Sequence, residues 1–444
     1  MAAGIALSGR GFMSGVSTAA KTADSEEFKQ NAAAGGAGQA SDETEAGGAV
    51  AVERNDALPP FAELLQQVTT ETGKGYGALM RDMFRYCLGG NKLTTEEYFN
   101  LRLYDDRFSK ERKLAFAGLA KSRNIWTRVY RNSRTVGTII DKLAGEALFR
   151  GAGFPVVRTL GACNLKRELP GIAVVDGATA LKAFFTMHAG QKLFGKPAGL
   201  SQSLGAMAID RFDAATGTVH LAGGKTMTVG AVWDLIETNF KDGYLFQERL
   251  TAHPDIAKAC GDKIATVRLL TIEQDGEPEI LATAWKIPAG GNVADNFWRP
   301  GNLLASIDLE TGTVVEAIQG LGIKRKTVFA HPDSNVAIAG LKLPDWEQAK
   351  SLVLSASRLL HDTWMIGWDV AFTPDGPVIV EANETPDLLL MQYVPGEGIL
   401  TPRFKSFLDW VDRANAEIGR AASRKANANN RSEAGRLLGG ATKF

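Results

Sequence analysis

Two stretches in the last quarter of the chain gather oxygen donors that could hold a hard cation: Met365-Ile366-Gly367-Trp368-Asp369-Val370-Ala371-Phe372 and Pro377-Val378-Ile379-Val380-Glu381-Ala382-Asn383. Between them, Thr373-Pro374-Asp375-Gly376 puts Pro at the second turn position and Gly where a left-handed residue is wanted, as a three-residue hairpin loop with a bulge requires. Pairing Thr373 with Pro377 then sets Asp369 opposite Glu381, and the period of two places Asn383 on the face of Glu381. Like charges directly across a ladder repel. Two carboxylates and an amide oxygen on one face suit Mg²⁺, which takes a few carboxylates together with phosphate oxygens and water. The competing reading is a solvated hairpin whose acidic face is neutralised by lysine or arginine from elsewhere.

A second group of residues suits phosphate. Leu193-Phe194-Gly195-Lys196-Pro197 reads as the end of a strand, followed by a loop over residues 198–206 that holds Gly199, Ser201, Ser203 and Gly205. Glycines let backbone N–H groups turn toward phosphate oxygens, serines add hydroxyl donors, and a strand-end lysine supplies a point charge. The order excludes a Walker A loop, in which the lysine follows the glycines. An ordinary surface connection is the alternative. Further upstream, Ile139-Ile140-Asp141-Lys142-Leu143 opens a helix that runs to about Arg150, and Gly151-Ala152-Gly153-Phe154-Pro155-Val156-Val157 ends it and starts a strand.

Taken in order, the helix-start lysine, the GAGFPVV exit, the strand-end lysine with its Gly/Ser loop and the acidic hairpin ending in EAN resemble the ATP-grasp superfamily, particularly D-alanine:D-alanine ligases. The stretches LFQERLTAHPDIA, IATVRLLTI, VADNFWRPGN, IGWDVAFTPDGPVIVEAN and TPDL are more specifically similar to the sugar-transfer-associated ATP-grasp proteins found beside bacterial polysaccharide genes. The resemblance covers residues 141 to about 410. It implies an α+β fold of two lobes, each with an antiparallel sheet, closing on ATP. It further implies that Lys142 and Lys196 bind the α- and β-phosphates, that the loop from Gly199 to Gly205 is a flap over the triphosphate, and that Gln247, Glu248 and Leu250 meet adenine. His253 would reach ribose or the acceptor, with a helix-start role as the equal alternative. Asp369, Glu381 and Asn383 match the ligands of Mg²⁺, for which Mn²⁺ could substitute.

One departure bears on catalysis. D-alanine:D-alanine ligases carry an arginine two residues before the first metal-binding aspartate, and this chain has Gly367 there. Arg268, inside the apolar strand IATVRLLTI, is the first substitute and Arg299, in DNFWRPGN, the next. An arginine in an apolar strand is costly unless paired, so a structural ion pair from Arg268 to Asp369 or Glu381 is the alternative. Asp295, Asn296 and Asn302 are expected to shape the acceptor or phosphate pocket, or to cap a loop. The implied activity is an ATP-dependent ligase joining an unknown carboxylate to an amine or hydroxyl through an acyl phosphate. A phosphotransferase and a nucleotide-binding regulatory module are the alternatives. The resemblance leaves the oligomeric state open, with a homodimer among the options.

These residues need a scaffold, and the rest of the chain can supply one. Residues 1–55 are dominated by Ala, Gly, Ser, Thr and Glu and are expected to be disordered. Residues 56–140 read as helical and stand where many ATP-grasp ligases have another domain; Thr94-Thr95-Glu96-Glu97 marks one helix start. Residues 141–245 would form the first lobe, 246–415 the second, and 416–444 a polar, basic tail. FPVVRTLGA, GIAVV, KLFGKPA and YLFQERL read as strands of the first lobe, with helical spacing in GATALKAFFTMHAG and TVGAVWDLIETNFK. KIATVRLLTI, PEILATAWKIPA, LASIDLE and TVVEAIQG follow as strands.

The 444 residues carry 50 basic and 50 acidic side chains, so no global charge points to nucleic acid or an anionic membrane. No apolar run approaches the roughly 18 residues that span a bilayer, and the N-terminus lacks a secretory pattern. Cys87, Cys163 and Cys260 are too scattered for a disulfide framework or zinc site, which fits a reducing cytoplasm.

Overall fold

Strand-forming runs punctuated by turns assemble into two seven-stranded sheets in the computed structural model, which describes residues 58–167, 169–199 and 205–439. The expected disordered segment 1–55, like Ser201 and Ser203 of the expected flap, lies outside the described residues.

The first sheet contains β1 (Thr159–Cys163), β2 (Ala173–Val174), β3 (Leu193–Pro197), β4 (Met207–Asp213), β5 (Thr218–Leu221), β6 (Thr226–Thr228) and β7 (Tyr244–Glu248), ordered β2-β1-β7-β3-β4-β5-β6. Its pairs are antiparallel except β1 with β2. Helices Ala178–Met187 and Val229–Asn239 lay Leu181, Phe185, Val232 and Ile236 against Tyr244 and Phe246, closing a separate apolar core. The strands β4 to β6 were not assigned from sequence.

The second sheet contains β8 (Thr266–Gln274), β9 (Glu277–Ile287), β10 (Leu303–Ile307), β11 (Val314–Gln319), β12 (Lys326–Val328), β13 (Met365–Thr373) and β14 (Gly376–Asn383), ordered β12-β11-β10-β9-β8-β13-β14. All its pairs are antiparallel. Trp285, Trp368 and Val370 pack on helix Trp346–Ser357 on one face. The other face offers Leu270, Ile272 and Met365 to the N-terminal helices. Helices Phe61–Thr72, Tyr76–Cys87, Thr95–Asn100 and Leu119–Val129 share that core, as do Phe404, Phe407 and Val411 of helix Pro402–Gly439. The described residues of the expected helical region 56–140 are therefore built onto the second sheet, and the helix from Pro402 runs through the expected tail boundary at 416. The capping box forms as expected, Glu97 N–H donating to Thr94 Oγ1 and Thr94 N–H to Glu97 Oε2.

The hairpin register corrects one detail. Thr373 pairs with Gly376 and Phe372 with Pro377, so the turn is one residue tighter than expected. A bulge between the Asp369 and Val370 pairs restores the count, and Asp369 does face Glu381. Gly376 takes φ 110°, which only glycine adopts cheaply.

Far from the hairpin face, buried Glu273 on β8 has a carboxylate oxygen, Oε2, with no hydrogen-bond partner. Desolvation pushes its carboxyl up to about 7. A carboxyl whose folded value is raised binds more protons folded than unfolded, so its contribution falls as pH rises from its unfolded value toward about 7. Glu273→Gln removes this cost. Relative to wild type it is expected to gain stability between pH 5 and pH 8, on the order of 1–3 kcal/mol, read as diverging melting temperatures across that range.

Candidate active site

Helix Val136–Ile140 stops at Asp141, whose Oδ1 accepts from Leu143 N–H at 3.1 Å and Ala144 N–H at 3.2 Å. This cap makes Lys142 the first residue of helix Lys142–Gly151. Lys142 Nζ lies 3.3 Å from Glu381 Oε1 and donates to the Ala198 carbonyl at 3.2 Å, so it links β14 to the chain leaving β3. Lys196, half-buried on β3, feels the same charges. Burial, reinforced by Lys142, pulls its ammonium below the usual lysine range while Glu381 opposes. Burial would raise the Glu381 carboxyl, but Lys196 and Lys142 outweigh it and hold it low.

Asp369 is held more tightly. Strand pairing places it opposite Arg268, whose Nε and Nη2 donate to Oδ1 at 2.7 Å and Oδ2 at 2.9 Å. Lys286 Nζ, from β9, is 3.1 Å from the same Oδ1. Desolvation by itself would raise the Asp369 carboxyl; Arg268 and Lys286 reverse that and hold it well below the carboxylate range. Lys286 also lies 3.8 Å from Asp295 Oδ2, which accepts from Thr266 N–H at 2.8 Å and from the Thr266 hydroxyl. Burial keeps Asp295 above its usual range.

Gly367 explains how Arg268 fits. A Cβ at that position would come within 2.7 Å of Pro386 Cβ, 3.3 Å of Arg268 Cδ and 3.5 Å of Arg268 Nη1. Arg268 from the neighbouring strand thus fills the space that a side chain at 367 would need. The ion pair to Asp369 that the sequence held open as an alternative is present, and its guanidinium also faces the cavity.

That cavity, of about 340 Å³, is walled by both sheets. Of the expected residues, Lys142, Lys196, Gln247, Glu248, Leu250, Arg268, Asp295, Asn296, Asp369, Glu381 and Asn383 line it. Buried Gln247 donates from Nε2 to Thr159 Oγ1 at 3.1 Å, and Glu248 Oε1 accepts from Arg158 N–H at 3.0 Å. Asn383 Nδ2 donates to the Gly367 carbonyl at 3.1 Å. Other expected residues sit elsewhere. His253 caps helix Pro254–Cys260, its Nδ1 accepting from Asp255 N–H at 3.2 Å, and is not among the cavity walls. Arg299 lies in the loop after β9, also outside those walls. Asn302 caps that loop, its amide donating to the Ala294 and Asn296 carbonyls. Gly199 borders an adjacent recess with Lys142 and Arg167, and Gly205 packs under the Phe240 ring. Lys286, Trp298 and Asp387 line the cavity but were not singled out from sequence. Asp387 stood within the quoted TPDL stretch; Lys286 had only its place in an apolar strand as a signal.

Asp369, Glu381 and Asn383 offer oxygen donors alone, the chemistry that Mg²⁺ takes. Each carboxylate already faces a cationic side chain, and among the described residues no three His, Cys, Asp or Glu side chains converge as a metal cluster. The donor set fits a divalent ion whose coordination is completed by phosphate oxygens and water. No helix among the described residues is long and apolar enough to cross a membrane.

Residues 122–407 match the family model described as sugar-transfer associated ATP-grasp. Among solved structures, the chain is similar to the D-alanine-D-alanine ligase from Coxiella burnetii at 12% identity, over 66% of this chain and 62% of that one, with a TM-score of 0.37. It is also similar to the D-alanyl-alanine synthetase A from Vibrio cholerae O1 biovar eltor str. N16961 at 15% identity, over 62% of this chain and 65% of that one, with a TM-score of 0.35. The VanG D-Ala:D-Ser ligase from Enterococcus faecalis is similar at 12% identity, over 62% of this chain and 60% of that one, with a TM-score of 0.32. The chain thus spans less than two thirds of each of these structures. No curated protein matches it.

Proposed function

The chain belongs to the sugar-transfer-associated ATP-grasp family, and on that premise we propose that it is an ATP-dependent ligase joining a carboxylate to an amine or hydroxyl, with ADP and phosphate as by-products. The observation that carries this reading is the convergence, across one cavity, of Lys142 and Lys196 with the Asp369 and Glu381 carboxylates of the opposite sheet. A carboxylate attacks the γ-phosphate, the acyl phosphate is captured by the acceptor, and phosphate leaves. Lys142 and Lys196 bind and orient the phosphates, and Arg268 and Lys286 supply further positive charge where the phosphoryl group develops negative charge. Asp369, Glu381 and Asn383 would hold Mg²⁺ or Mn²⁺ bound with ATP, which neutralises phosphate charge. Gln247, Glu248 and Leu250 line the base end. The family description supports a sugar-linked substrate, as polysaccharide or cell-surface sugar modification would use.

Because a ligand that binds only the native state stabilises it by about 2.7 kcal/mol at a hundredfold excess over Kd, millimolar MgATP is expected to raise the melting temperature. Absence of a shift would sink this reading. Mass spectrometry of the protein with ATP, Mg²⁺ and cell extract then separates chemistries: an amide or ester with ADP and phosphate supports the ligase, and a phosphorylated product overturns it in favour of a phosphotransferase.

A further inference from the structure

Asp369, Asp295 and Glu381 on the second-sheet side of the cavity each have a cationic side chain within 4.0 Å. Asp387 lines the same cavity and, among the described residues, has none. Its Oδ1 accepts from Leu389 N–H at 3.0 Å and Leu390 N–H at 3.2 Å, and the Trp298 side chain hydrogen-bonds to the carboxylate. An ionised carboxylate offers about four lone-pair sites, so acceptor capacity remains. Burial pushes the Asp387 carboxyl above its usual range, and Arg268, committed to Asp369, only partly compensates. This is a partly buried negative charge that lacks a counterion of its own among the described residues.

Its surroundings are rigid. Trp298 packs edge-on against Tyr393, with centroids 5.7 Å apart at 83°. Behind Leu390 the chain is clamped by fully buried Gln392, whose Nε2 donates to the Ala117 and Leu388 carbonyls at 3.0 Å each. Gln392 Oε1 accepts from Ala117 N–H at 2.9 Å and Ile399 N–H at 3.2 Å. The helical region thus braces the segment that presents Asp387.

We propose that Asp387 and Trp298 form a subsite for a primary ammonium group, so that the acceptor is a cationic amine and not a neutral alcohol. The term acceptor rests on the ligase reading; the ammonium preference does not. An ammonium supplies the missing counterion through a charge-assisted hydrogen bond and lies beside an aromatic ring that favours cations. A hydroxyl of the same shape leaves the charge uncompensated.

Calorimetry on the full chain, with and without MgATP, tests this with three isosteric pairs: D-glucosamine and D-glucose, ethanolamine and ethylene glycol, benzylamine and benzyl alcohol. The amine of at least one pair is expected to bind about tenfold or more tightly than its neutral partner. Asp387→Asn is expected to abolish that preference with the MgATP shift intact, and Trp298→Leu to reduce it. Equal binding within every pair, or a preference that survives Asp387→Asn, overturns the proposal. Should Asp387→Asn not fold, the wild-type pairs and Trp298→Leu decide. A missing MgATP shift in wild type overturns the ligase reading alone, because the ammonium preference is also read without nucleotide.

Discussion

Arg268→Lys is expected to slow ATP turnover by a factor of about 10² to 10³, the usual cost of removing one preorganised donor to a developing oxyanion. Lysine keeps the charge but loses the planar fork. That fork now spans both oxygens of Asp369, and its stem occupies the space beside Gly367. Lys286, 3.1 Å from Asp369, keeps the carboxylate paired even where the shorter lysine at 268 falls short of it, so the protein should fold and bind ATP nearly as wild type does. Were Arg268 only a structural partner, the melting temperature would fall and turnover would survive. Both quantities are to be measured on one preparation. Full activity would move the phosphate-steadying role to Lys286, which lines the cavity, and not to Arg299, which does not.

What the sequence revealed depended on how local the signal was. The Asp369–Glu381 pairing was legible because strand period and turn chemistry fix register over a few residues. It survived a turn one residue tighter than expected because the bulge beside Asp369 restored the alternation. Lys142 was legible as a helix start, and the Asp141 cap is its physical cause. Lys286 was not, since only the fold sets β13 beside the β8–β9 hairpin and brings Asp369 to its ammonium. His253 had two readings of equal weight, a ribose or acceptor contact and a helix start; a histidine before proline satisfies a helix-capping pattern locally, and the cap is formed. The strands β5 and β6 went unassigned because they are partly exposed and only 4 and 3 residues long, too short to set an alternation. The helical region read correctly as helix, but its apolar faces could not say which sheet they would bury.

The same charge map separates two carboxylates that the family resemblance treats alike. Asp369→Asn and Glu381→Gln are both expected to remove turnover with MgATP binding still measurable, because neutralisation of the phosphoryl group matters most in the transition state. Their effects on folding should differ. Asp369 is buried, and its replacement leaves Arg268 and Lys286 facing each other without their shared anion; breaking a buried pair in this way costs about 3–5 kcal/mol. The Lys142–Glu381 pair keeps side-chain exposures of 20% and 28%, so water can take over part of its solvation and the loss should be small. Melting temperatures and ATP consumption on both variants therefore test two independent statements. Wild-type turnover in Glu381→Gln would refute its metal-ligand role, whereas an unshifted melting temperature in Asp369→Asn would refute the claim that Asp369 neutralises two buried cations, whatever happens to catalysis.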